Sequence, residues 1–353
     1  MARVTLQTIA DQLGVSRMTV SNAFSRPDQL SASLRERILA TASDLGYVGP
    51  DPAARALAKG TTGAVGIVLT DSMNTAFRDD VATTFFGAFA DELGPTGLAV
   101  TLIPLYGSAE LIPARDVPID GALVYACPGN APALEWLVRR RLPLVFVDRA
   151  PIDGAASVTL DEAGGARQGA EHLLDLGHTH VGLLTVSFDG PHGVVADPAL
   201  AGGDYVSRER ARSWAHVLRA AGARISAVQV RENTEHDGSD GAVLLLGAED
   251  RPTALLCFSD VMAVGAIRAA HDLGLQVPAD LSVVGFDDAR FAARGRPALT
   301  TVRQDVVAKG RTAANALTDA IARHRTGSAE EPPTVVLPTE LVVRHSTGPV
   351  PQR

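Results

Sequence analysis

From Ala64 onward the sequence repeats one alternation, short apolar runs followed by amphipathic stretches of helical length. The runs AVGIVLT, LAVTLIPL, GALVYAC and PLVFVDR come first, with helical segments at about 78–93 and 131–140. A second series follows: SVTLD, HVGLLTV, AVQVREN, ALLCFSD and LSVVGFDD, with helices at 162–176, 207–221, 239–247 and 261–273. Strands that are apolar almost throughout must be covered on both faces, and helices between them provide the cover, so each series predicts a parallel sheet wrapped by helices. Two series predict two doubly wound lobes. The tail TVVLPTELVVRHS adds one or two strands, and the stretch SFDGPHGVVADPALAGGDYVS reads as a long loop near the cleft between the lobes. Abundant Ala, Gly and Val with only 5% aromatic residues suit helices packed closely on such sheets.

Several function classes are excluded early. Cys127 and Cys257 sit in separate apolar runs and make neither a disulfide framework nor a zinc site, so both read as buried free thiols. The N-terminus runs directly into a polar helix signal with no apolar secretory segment, and no stretch approaches the roughly 20 apolar residues of a membrane helix. The expected compartment is the cytoplasm, with no membrane partner. The chain is acidic overall, at −8, but residues 1–60 carry seven Lys and Arg against five Asp and Glu, a net of +2 that leaves −10 for the remainder. A basic head on an acidic body suits one DNA-facing end.

That head predicts three short helices within residues 5–46. Thr5 is placed to cap LQTIADQL, Ser16 to cap RMTVSNAF, and Ser33 with Glu36 to form a capping box for the third helix, whose apolar face carries Leu34, Ile38, Leu39, Ala42 and Leu45. Between the first two helices, Ala10 allows close crossing and Gly14 supplies the positive φ of a tight turn, while Val15, Val20 and Ala23 anchor the second helix inward. The opposite face then presents Arg17, Met18, Ser21 and Asn22 to a major groove. Arginine matches guanine, asparagine matches adenine, and methionine touches the thymine methyl; Thr5, Ser16, Thr19 and Ser21 are candidate phosphate contacts. A plain three-helix domain with a solvated face would share part of this pattern.

Residues 4–48, VTLQTIADQLGVSRMTVSNAFSRPDQLSASLRERILATASDLGYV, resemble the head of the lactose/galactose-repressor (LacI/GalR) transcription factors. The resemblance continues through LDEAGGARQGAEHLLDLGHTHVGLL, PTALLCFSDVMAVGAIRAAHDLGLQVPADLSVVGFDD and PALTTVRQD. It implies an all-α helix-turn-helix headpiece plus an α/β periplasmic-binding-protein-like core of two doubly wound parallel-sheet lobes. It further implies a repressor-like homodimer on double-stranded, pseudo-palindromic operator DNA. The expected domains are the DNA-binding head at 1–49, a hinge at 50–62, an N-subdomain of 63–158 and 289–319, and a C-subdomain of 159–288 and 320–346.

The linker carries its own physical expectation. Asp51 is a good N-cap and Pro52 a good first-turn residue ahead of Ala53–Ala58. A helix of about two turns is marginal in water by itself, so it needs outside support to fold. In the resembling family two such hinge helices pair on the operator and push a leucine into the minor groove; the matching residue is Leu57, with Ala54 on the same face. Gly49-Pro50 adds one residue before the hinge relative to the usual pattern, which shifts the contact register, and a flexible tether is the alternative reading of such a linker.

In the body, polar residues at strand ends mark the cleft: Asp71, Asp148, Ser259, Asp260, Asp287 and Asp288. Carboxylates there suit a hydroxyl-rich effector, sugar or nucleoside-like, because ionised Asp accepts from several hydroxyls. Asp260 and Asp288 read better as helix caps or loop supports than as ligand contacts. By the resemblance, Arg210 occupies the ligand-clamping arginine position, Asp287 stands opposite it, Ser259 replaces a frequent asparagine, and Phe77 sits where an aromatic lines the pocket. Helical periodicity alone would also allow Arg210 to be an ordinary surface arginine. No phosphate-binding glycine motif and no G-x-S-x-G elbow occurs, and His172, His178 and His180 lie at a helix–strand turn without the carboxylate and spacing of a metal site. No cofactor, metal or catalytic residue is therefore expected. A solute-binding receptor and a sugar- or nucleoside-processing enzyme are the rival readings; the head argues against the first and the missing nucleophile against the second.

Overall fold

The computed structural model describes residues 4–49, 51–69, 76–104, 112–125, 132–187 and 190–351. The chain divides into two compact units, Met1–Gly63 and Ala64–Arg353.

The first unit holds helices α1 (Leu6–Leu13), α2 (Arg17–Ser25), α3 (Ala32–Asp44) and α4 (Pro52–Lys59). Thr5 and Thr8 close a capping box on α1, and Gly14, at φ 64°, ends it with its N–H on the Ala10 carbonyl. That left-handed turn lets α2 start three residues later under the Ser16 cap. Helix α3 is capped by Ser31, whose hydroxyl accepts from the Leu34 N–H, and not by Ser33. The chain is still extended at Ser31 after the short turn Pro27–Gln29, so the helix begins before Ser33 is reached. Ile9, Ala10, Val20, Ala23, Ile38 and Ala42 form the buried core, ringed by Val15, Phe24, Leu34, Leu45 and Tyr47. The expected small and β-branched anchors thus meet where the helices cross.

The second unit contains two sheets. One is six-stranded and wholly parallel, in the order β12 (Thr334–Leu337), β5 (Ala156–Leu160), β4 (Leu144–Val147), β3 (Ala122–Tyr125), β1 (Ala64–Leu69), β2 (Ala99–Pro104). The other has seven strands, in the order β13 (Thr339–Val342), β11 (Thr300–Gln304), β10 (Ser282–Asp287), β9 (Ala254–Cys257), β6 (His180–Val186), β8 (Arg224–Val230), β7 (Gly193–Val195). Its central strands are parallel and its two edges, β7 and β13, run antiparallel. Both central strands β6 and β9 are buried at every position, as the unbroken apolar runs require. Strand order reverses between β1 and β3 in the first lobe and between β6 and β9 in the second, and in open α/β sheets ligands settle outside the carboxyl ends at such points.

Three passages connect the lobes: after β5, after β11 and between β12 and β13. They correct the subdomain boundaries read from sequence. Residues 289–319 do not belong wholly to the first lobe, because β11 pairs in register with β10 of the second (Val284 beside Thr300). Nor do residues 320–346 belong wholly to the second, because β12 pairs with β5 (Thr334 beside Ser157). The 21-residue helix Val306–Thr326 buries Ala313, Ala314, Leu317 and Ile321 in the first lobe's core with Phe85, Phe89 and Val145. Part of the expected long loop is ordered as well: β7 lies within it, added to the edge of β8.

Candidate DNA-reading face and effector site

The outward face of α2 is built by its inward one. Burial of Val20 and Ala23 leaves Arg17 and Met18 exposed, the latter at 69%. An unbranched apolar side chain that far into solvent has no stabilising role in the isolated unit. Ser21 and Asn22 are half-buried on the flank. Asn22 donates through Nδ2 to Gln29 Oε1 at 3.1 Å, which orients its amide; Gln29 carried no signal in the sequence because the turn that places it was not foreseen. Ser16 Oγ accepts from the Thr19 N–H at 3.0 Å and pairs with the Thr19 hydroxyl at 2.8 Å, so both expected phosphate contacts also serve the helix start. Thr5 likewise sits at the exposed start of α1. In α4, Asp51 Oδ1 accepts from the Ala54 N–H, and Ala54 and Leu57 are both exposed, Leu57 at 87%.

In the second unit the strand ends carry a connected polar chain. Arg210, on the helix Tyr205–Ala220, is not the surface residue that periodicity alone allowed: it and Glu162 are each only 3% exposed, and Arg210 Nε donates to Glu162 Oε2 at 2.6 Å. Its NH1 donates to the Phe258 carbonyl at the end of β9 and lies 3.9 Å from Asp287 Oδ1, at the end of β10. The guanidinium is stacked 3.4 Å from the Phe286 ring centre, a cation–π contact in a dry setting. Asp287 Oδ1 accepts from Gln304 Nε2 at 2.6 Å, and Gln304 Oε1 accepts from Lys309 Nζ at 3.0 Å. Lys309 Nζ then pairs with Asp148 Oδ2 at 2.8 Å, at the end of β4. Asp148 and Asp287, from different sheets, thus join one network. Asp148 Oδ1 is buried and has no hydrogen-bond partner among the described residues.

Both aspartates are among the non-glycine residues with positive φ, a group that also holds Arg141 and Asp288. Asp148 has φ 55° and Asp287 φ 122°, left-handed conformations that are costly for a residue with a Cβ and that concentrate at ligand sites. Burial raises the Asp287 carboxyl well above its usual range, with Arg210 offsetting only part and Asp260 and Asp79 adding to the rise. Burial likewise raises Glu162, against the pull of Arg210. Desolvation would weaken the charge on Arg210, but Glu162 and Asp287 together raise its pKa and hold it protonated.

The other expected residues fall around this network. Ser259 caps the helix Asp260–Asp272, accepting from the Met262 N–H at 3.2 Å, and its hydroxyl donates to Asn233 Oδ1. Asn233 in turn donates to Asp79 Oδ2 at 3.5 Å, a contact between the second lobe and the first. Phe77 is exposed three residues before Asp80 opens the next helix. Asp71 and Cys127 lie outside the described residues. Asp260 is buried, accepting from the Thr301 hydroxyl and the Ala289 N–H, and Asp288 holds Arg303 and Arg344; both support loops, as their positions suggested. His178 is engaged by Thr253, Ser282 and the Gly348 carbonyl, and no metal-binding group of His, Cys, Asp and Glu occurs among the described residues. Cys257 is buried, which raises its thiol pKa and leaves it unreactive.

Four residues of the network escaped the sequence reading. Asn233 lies three residues beyond β8 and Gln304 is the last residue of β11, so both fall under the strand-end rule. Glu162, two residues beyond β5 and the first residue of a helix, falls under it too, whereas Lys309 lies within a helix and carries no such signal.

Comparison with known proteins decides the family. The model for bacterial regulatory proteins of the lacI family matches residues 5–49, and that for a periplasmic binding protein-like domain matches residues 170–347. An HTH-type transcriptional regulator of Mycolicibacterium smegmatis is 38% identical over 98% of this chain and 97% of its own. The chain belongs to the LacI family. As a member it is a DNA-binding transcriptional regulator with a helix-turn-helix head and a periplasmic-binding-protein-like core. The regulator IpsA of Corynebacterium glutamicum is 37% identical over 87% of the chain and 88% of its own. Among solved structures, the lac repressor dimer bound to operator and the anti-inducer ONPF aligns over 98% of this chain and 100% of that one, with a TM-score of 0.79 at 26% identity. The CelR–cellobiose complex covers the same shares with a TM-score of 0.70 at 26% identity. No described helix is long and apolar enough to cross a membrane.

Proposed function

We propose that this LacI-family regulator is an effector-controlled repressor. It binds a pseudo-palindromic operator as a homodimer and answers to a small hydroxyl-rich molecule, a sugar or a nucleoside, held at the strand ends between its lobes. Arg17, Met18 and Asn22 read base edges; Thr5, Ser16, Thr19 and Ser21 hold phosphates; Leu57 and Ala54 enter the minor groove from the hinge helix α4. The chain does no chemistry of its own, takes no cofactor, and works in the cytoplasm where its operator lies.

The observation that carries the effector reading is the pair Asp148 and Asp287, both on strained backbone and joined through Gln304 and Lys309, with Arg210 beside Asp287. Asp148 Oδ1 is a buried acceptor suited to a ligand hydroxyl, and such an acceptor left unpaired is costly. Asp71, Phe77 and Ser259 complete the set of ligand contacts in this proposal. The lac repressor and CelR, whose structures carry operator with anti-inducer and cellobiose respectively, support it by analogy of fold.

Control requires that the effector bind the DNA-competent and DNA-incompetent arrangements with different affinity. The test is a panel of neutral sugars and nucleosides, scored both for a raised melting temperature and for a changed operator affinity. At least one compound that does both is expected. A panel in which none does either overturns the effector assignment.

A further inference from the structure

The charge balance around Arg210 bears on which effector the site accepts, an inference that rests on the proposed effector site. A buried arginine facing a site is a common means of seizing a phosphate or a carboxylate, because its planar fork matches both bidentately. In this chain the fork is already engaged from within. Glu162 takes Nε at 2.6 Å from a position as buried as Arg210 itself, the Phe258 carbonyl takes NH1, and Asp287 lies 3.9 Å from NH1. Among the described residues, NH2 has no hydrogen-bond partner. The only other cation of the network, Lys309, is bound to Asp148 and Gln304. Two cations therefore face three carboxyl groups, with Asp79 close enough to Asp287 to influence its ionisation. Both cations of the network thus already have a carboxyl partner within the chain.

We propose that Glu162 is an internal counter-ion that closes Arg210 to anions, so that the site selects an uncharged polyhydroxylated effector and rejects phosphorylated or carboxylated ones. Glu162 does this as a specificity-determining residue. Its carboxylate occupies the edge of the guanidinium that an incoming phosphate would need, and it supplies the negative charge that would repel one. NH2 and the strained aspartates remain available to hydroxyls, which need one donor and one acceptor each and no net charge.

Inorganic phosphate is the probe, because it tests the clamp without requiring the effector. The full chain is titrated with phosphate against sodium chloride of equal ionic strength, and the melting of the larger unit is followed by tryptophan fluorescence. Wild-type protein shows no saturable stabilisation beyond the chloride control. Glu162→Gln, which keeps the shape and removes the charge, gains saturable phosphate binding tighter by on the order of tenfold or more. The double variant Glu162→Gln/Arg210→Gln loses that gain, which separates the clamp from any phosphate held by the basic head. Saturable phosphate binding by wild type that competes with a neutral sugar at this site overturns the proposal, as does a folded Glu162→Gln with no gain. Should Glu162→Gln not fold, the wild-type comparison of glucose with glucose 6-phosphate decides: preferential binding of the phosphorylated sugar, or saturable phosphate binding, overturns it, and rejection of both anions upholds it. Failure of the effector reading itself looks different, since it leaves the phosphate results intact while no neutral compound alters operator affinity.

Discussion

Replacing Lys309 with Met isolates the buried pair that ties the end of β4 to the helix beyond β11. Lys309 is 1% exposed, and its ammonium sits 2.8 Å from Asp148 Oδ2 and 3.0 Å from Gln304 Oε1. Methionine fills similar volume but leaves Asp148 facing no cation, with its second oxygen already unpaired. Removing one partner of a buried ion pair costs about 3–5 kcal/mol, since the survivor keeps its desolvation penalty and loses its compensation. Set against a typical total of about 5–15 kcal/mol, that is a large fraction of the stability of the unit. With a urea dependence of about 3 kcal/mol per molar, the midpoint should fall by roughly 1–2 M. The assay is urea unfolding followed by tryptophan fluorescence: both tryptophans, Trp136 and Trp214, lie in the larger unit and one in each lobe, so the head does not contribute. Lys309→Met/Asp148→Asn should recover more than half of the loss, because the orphaned charge is gone. A loss below about 1 kcal/mol for Lys309→Met alone would refute the reasoning, since it would mean that Asp148 does not depend on this lysine.

Three further outcomes are expected. Arg17→Ala should weaken operator binding by about 1–3 kcal/mol and relax preference at one base position, whereas a mere phosphate contact would weaken all sequences equally; competition with single-position operator variants separates the two. Leu57→Ala should weaken operator binding and leave the melting temperature of the free protein unchanged, because Leu57 is 87% exposed; an equal loss of stability would show that the residue packs within the chain instead. The Asp260 carboxyl is raised to about 7, chiefly by burial and against the pull of Thr301 and the Ala289 N–H. Its folded value therefore exceeds its unfolded one, so its contribution is complete below about pH 4 and is lost as pH rises toward 7, by up to roughly 1.4 kcal/mol per unit. His178 acts in the opposite sense: burial lowers its pKa, and its contribution is lost as pH falls below about 6.5. Urea midpoints between pH 4.5 and 7 should decline less steeply in Asp260→Asn than in wild type, and identical slopes would count against this titration.

The alternation of apolar runs and helical segments was enough to read two parallel lobes, because a strand buried on both faces has little choice of composition. The sequence was equally clear about α1 and α2, where Thr5, Gly14 and Ser16 act through bonds to their near neighbours. Lobe membership was not legible in the same way. Whether Thr300–Gln304 pairs with β10, or Thr334–Leu337 with β5, is settled by partners distant in sequence, and nothing in either strand names its partner. The effector site was read half correctly for the same reason. Strand-end aspartates announce themselves by following an apolar run, and Asp148 and Asp287 were found that way. The groups that balance the site were not: Glu162, the partner of Arg210, opens a helix and Lys309, the partner of Asp148, lies within one, and they become site residues only when helix and strand ends are brought together.

The central claim is that the exposed face of α2 reads a two-fold symmetric operator. Selection of bound duplexes from a random pool by the full-length protein tests it most directly, at a fixed and stated salt concentration. The account predicts an enriched inverted repeat, with half-sites whose base preference changes when Arg17 or Asn22 is replaced. Recovery of sequences with no symmetry, or of a repeat indifferent to both replacements, would contradict it.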